Sequence, residues 1–172
     1  CRLSVCVDNW ANINALSAEA KKRNVHIHCL VELDCGAGRC GVANAEQATE
    51  LATAIKEAEH LIFDGLQAYQ GSIQHEIDHV LRRKELDTVI EQVKACLDSL
   101  AAAGLDCPVV SGGGTGSFLF EASSGVYTEV QCGSYAFMDA DYGRVHNQDG
   151  KRLDTADWKN ALFILTSIMS TA

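Results

Sequence analysis

Two hydrophobic periods alternate along the chain. Leu3-Ser-Val-Cys-Val7 is apolar at every second position and stops at Asp8-Asn9, which is the period of a strand. Trp10, Ile13 and Leu16 then recur at helical spacing in a stretch that runs to Lys22. Residues 26–33 return to strand character. Asn44 stands where an N-cap would open a helix running to about Glu57. Residues 61–67 predict a third strand, and residues 77–103 a long helix closed by Gly104 at its C-cap. Residues 108–111 and 128–133 predict the fourth and fifth strands. A last apolar run, residues 161–169, is strand-like with no helix after it.

This alternation predicts an α/β fold with parallel strands. The glycine-rich and polar clusters all follow strands: residues 34–41, 69–72, 111–117 and 133–135. Functional groups at the carboxyl ends of strands suit either a barrel or an open doubly wound sheet. An eight-stranded barrel takes roughly 250 residues, and five strands are too few to close one. The expectation is therefore a piece of a longer protein.

The chain has 172 residues, of which 47% are apolar, enough for one domain with its own core. A net charge of −9 argues against nucleic acid and anionic membrane surfaces as partners. No apolar run reaches membrane-spanning length, and the start does not read as a signal peptide. The eight cysteines include no Cys-x-x-Cys pair, so zinc ribbons and redox motifs are not indicated. Reduced thiols in a cytoplasmic protein are expected.

The run Ser111-Gly-Gly-Gly-Thr-Gly-Ser117 directly follows a predicted strand. Its glycines would let backbone N–H groups approach an anion, with Thr115 and Ser117 adding hydroxyls. No Lys follows Thr115-Gly116, so it is not a Walker loop, and no clear amphipathic helix follows to make a dinucleotide fingerprint. Gly133 after the fifth strand offers a second turn that could grip the same phosphate. By itself the glycine run is as readily an ordinary turn. Arg39, in the glycine-rich turn after the second strand, suits a directed contact to an anionic oxygen, although alone it reads first as a surface arginine. Tyr69 could stack on a planar ring or simply pack against neighbouring loops. His75 and His79 have the i, i+4 spacing of a helical metal site but read as solvated residues at a helix start. His26 and His28 read as packed or paired within a strand. Residues 82–84 and 21–23 read as solvated basic helix faces.

Four motifs, residues 31–42, 65–72, 111–116 and 122–142, together and in this order resemble the pyridoxal-phosphate enzymes of the alanine-racemase barrel class. Within that class they are most similar to the D-threonine aldolase and D-serine dehydratase-like family. The resemblance covers nearly the whole chain and implies a partial (β/α)8 barrel of the alanine-racemase type, about strands four to eight. Residues 1–143 would be the C-terminal part of the cofactor-binding barrel. Residues 144–172 would be a connection and the first strand of a C-terminal β domain. It also implies roles for single residues. Arg39 would face the phenolic oxygen of pyridoxal 5'-phosphate, Tyr69 would stack on its ring, and Gln131 would face the ring nitrogen. Gly114, Thr115, Gly116, Gly133, Ser134 and Tyr135 would hold the phosphate. The Schiff-base Lys would lie on the first barrel strand, outside these residues, and a divalent metal in the C-terminal domain, so no catalytic or metal residue is assigned here. The implied activity of the full-length protein, a homodimer, is cleavage of the Cα–Cβ bond of a D-β-hydroxy amino acid such as D-threonine. Elimination of the D-serine dehydratase type, or cofactor binding without catalysis, are the alternatives.

Overall fold

The computed structural model describes residues 2–171. Five strands form one sheet: β1 (Ser4–Val7), β2 (Ile27–Glu32), β3 (Leu61–Gln67), β4 (Val109–Gly112) and β5 (Glu129–Val130). The order is β1-β2-β3-β4-β5, and every pair is parallel. A doubly wound sheet reverses its strand order at a switch point. This sheet never reverses, as in the arc of a barrel. The helices are α1 (Trp10–Arg23), α2 (Ala45–Glu57), α3 (His79–Ala102), a six-residue α4 (Phe118–Ser123) and a short α5 (Leu153–Ala156).

Local chemistry sets the helix starts. Asn9 and Asn44 accept N–H bonds from Asn12 and Gln47 at the first turns of α1 and α2. Asp78 accepts from Val80 and Leu81, so α3 begins one residue after that cap. Gly104, with φ +69°, follows the end of α3.

The outward-facing strand residues Val7, Cys29, Val31, Leu66 and Val110 pack against Ile13, Leu51, Ile55, Leu86, Val93 and Leu100 of the helices in one core. Val7, Leu30 and Leu66 are all buried within this chain. The inner face carries one polar row. Glu32, Gln67, Ser111 and Glu129 stand in register across β2, β3, β4 and β5. Barrel interiors are usually filled by branched apolar layers. Here the row nearest the carboxyl ends is made of hydrogen-bonding groups.

A bulge separates the β2–β3 register at Cys29/Leu30, leaving Asp64 as the extra residue. Gly65 beside it has φ +149°, and an added Cβ would lie 1.9 Å from the Val109 carbonyl oxygen, so only glycine fits. Asp64 accepts hydrogen bonds from Arg2 (2.6 Å) and pairs with His28 (2.8 Å).

Three expectations change. Arg82, read from sequence as part of a solvated run, is 2% exposed. Its guanidinium donates to the carbonyl oxygens of Glu76 and His146, each at 2.6 Å. That ties the start of α3 to a second small core of Met138, Val145 and Leu153, with Tyr142 and Trp158 packed on it. Residues 161–169 form no strand in this chain. They carry no regular element, and Leu162, Phe163, Ile164, Leu165, Ile168 and Met169 are exposed, because a strand needs a ladder partner and none of the described residues supplies one. Finally, the glycine run does lead into a helix, but α4 is under two turns long.

Candidate functional site

The four motif loops lie at one end of the sheet, beyond the carboxyl ends of β2, β3, β4 and β5. The first loop is wound around Asp34. Its Oδ1 accepts the N–H groups of Gly36 (2.9 Å) and Gly38 (3.0 Å), and these bonds hold its carboxyl below the usual carboxylate range. Gly41, at φ +106°, closes the turn where a Cβ would lie 2.5 Å from the Asp34 nitrogen. This fold of the loop carries Arg39 to the open side. Its guanidinium is 67% exposed and stands 3.6 Å from Glu32 Oε1. Cys40 donates to the same carboxylate oxygen at 3.3 Å.

Tyr69 leaves β3 half-buried. Burial, reinforced by the Tyr142 hydroxyl, pushes its phenol up to about 12. Its hydroxyl reaches the glycine turn, because a Cβ on Gly114 would lie 2.9 Å from it. The expected stacking residue therefore also touches the expected phosphate turn.

The two turns expected to grip a phosphate are brought together. Gln131 N–H donates to the carbonyls of Gly112 (3.0 Å) and Gly113 (2.9 Å), and Tyr135 N–H donates to Thr115 Oγ1 (3.0 Å). Gly116 N–H donates to the buried Gln74 Oε1 (2.9 Å). Among the described residues, the N–H groups of Gly114, Thr115, Gly133 and Ser134 make no hydrogen bond to the chain.

Gln131 forms a reciprocal amide pair with Gln67, at 2.6 and 3.0 Å, and donates to Ser111 Oγ (2.8 Å). Ser111 in turn donates to Glu129 (2.5 Å). The amide is neutral and fixed in orientation. Sequence reasoning found Gln131 but not Gln67, which supports it from 64 positions away. It also missed Gln74, Gln70 and Glu121. Gln70 Nε2 donates to the Cys35 carbonyl (2.5 Å), joining the Tyr69 loop to the Arg39 loop.

The histidines divide as follows. His26 stacks on His60 with centroids 4.9 Å apart, and His28 pairs with Asp64, so both are structural. His75 pairs with Asp141 at 2.5 Å, and His79 packs edge-on against Phe120. Among the described residues no group of three His, Cys, Asp or Glu side chains is placed to hold a metal. All seven cysteines among them are free thiols, and Cys1 lies outside the described residues. A cavity of about 690 Å³ borders the glycine turn, lined by Thr115, Gly116, Ser117, Arg83, Asn147 and Trp158 among others.

Residues 1–141 match the family of the alanine racemase N-terminal domain. The chain belongs to that family. It is 55% identical over 170 residues to 3-hydroxy-D-aspartate aldolase of Paracoccus denitrificans (strain Pd 1222), covering 99% of this chain and 44% of that protein. Identity to D-threonine aldolase of Arthrobacter sp is 42% over 173 residues, covering 98% and 43%. The crystal structure of D-threonine aldolase from Filomicrobium marinum superposes with a TM-score of 0.89 at 38% identity, covering 98% of this chain and 45% of that one. The arc of parallel strands is thus a partial alanine-racemase-type barrel. The chain spans under half the length of these relatives.

Proposed function

We propose that the full-length protein is a pyridoxal-phosphate-dependent lyase that cleaves the Cα–Cβ bond of a D-β-hydroxy amino acid. The observation that carries this reading is the convergence of Arg39, Tyr69, Gln131 and two glycine turns at one end of the sheet. The aldolases named above, similar over nearly the whole chain, support the choice of reaction and of the D configuration.

The residues present fit the cofactor. Four backbone N–H groups without a partner among the described residues, at Gly114, Thr115, Gly133 and Ser134, match the oxygens of a phosphate. The site of a Cβ on Gly114 is filled by Gln74 and Tyr69, so the backbone there is open to close approach only as glycine. Thr115 Oγ1 accepts from Tyr135 and keeps its own proton to donate. Tyr69 would flank the ring, and its raised phenol keeps it a neutral donor. Arg39, balanced by Glu32, would meet an anionic ring oxygen. Gln131 would meet the ring nitrogen as a neutral amide, which does not enforce protonation as a carboxylate would.

When bound, the cofactor supplies the electron sink for the bond cleavage. The chain's own residues bind it, orient it and hold its charges. The Schiff-base Lys and the divalent metal are proposed to belong to other parts of the longer protein.

The test is product analysis with the full-length protein and added pyridoxal phosphate. D-threonine or D-3-hydroxyaspartate should give glycine and the matching aldehyde in equal amounts. Ammonia and a 2-oxo acid without glycine would overturn the reading in favour of elimination.

A further inference from the structure

Gln74 lies in the Ser72–His75 turn and is 1% exposed. Its carboxamide makes three bonds. Oε1 accepts Gly116 N–H at 2.9 Å, and Nε2 donates to Ser117 Oγ at 2.6 Å and to the Gln70 carbonyl at 3.2 Å. The orientation is dictated by these partners, since a flipped amide would set an NH₂ group against the Gly116 N–H. Ser117 passes the chain on, donating to Glu121 Oε1 at 2.7 Å. Two glycines of the turn also pack closely on this residue, Gly114 on its side chain and Gly116 on its main chain. A Cβ on Gly114 would lie 2.5 Å from Gln74 Oε1, and one on Gly116 2.6 Å from the Gln74 carbonyl oxygen.

Gly116 therefore has its N–H spent within the protein. Its need to be glycine comes from close packing on Gln74. The N–H groups in that turn without a partner among the described residues are those of Gly114 and Thr115. Their placement depends on a residue five positions beyond Tyr69.

We propose that Gln74 is the positioning residue of the glycine turn. It holds residues 114–116 in the shape that presents two N–H groups to the cofactor phosphate, and it locks that turn to the loop carrying Tyr69. This rests on the pyridoxal-phosphate reading above. Loss of the carboxamide leaves Gly116 N–H and Ser117 without their partner in a buried place, and the turn relaxes.

The test uses the full-length protein and its Gln74→Met and Ser117→Ala variants. Dissociation constants are measured for pyridoxal phosphate and for pyridoxal, which lacks the phosphate, along with the ³¹P resonance of the bound cofactor. Gln74→Met should bind pyridoxal phosphate about tenfold more weakly, with pyridoxal changed by no more than about twofold, and its ³¹P resonance should move. Ser117→Ala, a milder change, should shift both readouts in the same direction by less. Equal weakening of both ligands, or an unmoved ³¹P resonance, would make Gln74 an ordinary structural residue and overturn the proposal. An unmodified protein that takes up no pyridoxal phosphate would overturn the cofactor reading itself.

Discussion

Glu121 lies 1% exposed beneath the glycine turn. One oxygen accepts from Ser117 and the other has no partner. Burial pushes its carboxyl up, against the opposing pull of the Ser117 bond and of Arg83. Cys132, Tyr127 and Tyr69 feel its charge. A raised folded-state value means that folding binds a proton. The resulting stabilisation is complete below the ordinary carboxylate range and is lost as pH rises through the folded value. Glu121→Gln should flatten that loss, read as thermal midpoint against pH. An unchanged slope would show that Glu121 is ionised in the fold. Arg39→Ala should weaken cofactor binding by the full-length protein about tenfold, the worth of one charge-assisted hydrogen bond. An unchanged titration would make it a surface residue. The positions of Arg39 and the glycine turns were legible in the sequence because they sit in strand-following loops. Gln74 and Glu121 were not. The partners of Gln74 lie 42 and 43 positions on, and no short window shows that pairing.

The helix start at Asn44 was legible because a cap reads only its own first turn. Arg82 shows the opposite case. Three consecutive basic residues look solvated, yet one reaches the His146 carbonyl 64 positions away. Arg82→Leu should therefore release residues 144–158 from α3, costing about 3 kcal/mol. Hydrogen exchange should show lost protection in that segment first, and uniform loss across the sheet would contradict the assignment. The β2–β3 bulge makes a second demand on a single residue. Gly65→Ala drives a methyl into the Val109 carbonyl at a positive φ and should destabilise the protein by about 3 kcal/mol or more. A denaturation midpoint within error of the unmodified protein would mean that the bulge is dispensable. The strand expected over residues 161–169 failed for a reason at this scale too, since alternation specifies a face but not the neighbour that completes it.

As a whole, the chain is an arc of an alanine-racemase-type barrel with its own helix-side core and a polar row on its inner face. Strand–helix alternation left a barrel and a doubly wound sheet open, and the resemblance carried by the motif order pointed to the barrel. The polar row was not, because it exists only once four strands are in register. The β1 and β5 edges and the apolar residues 161–169 are the adhesive surfaces. The isolated 172 residues should self-associate in sedimentation, and removal of residues 161–172 should reduce it. A stable monomer would mean that the arc covers its own edges. The central claim is that these residues supply a cofactor cradle while the lysine that bonds the cofactor lies elsewhere. Borohydride reduction of the full-length protein loaded with pyridoxal phosphate, followed by peptide mapping, tests it most directly. The account predicts one labelled lysine outside these residues. Label on Lys21, Lys22, Lys56, Lys84, Lys94, Lys151 or Lys159, or no label at all, would contradict it.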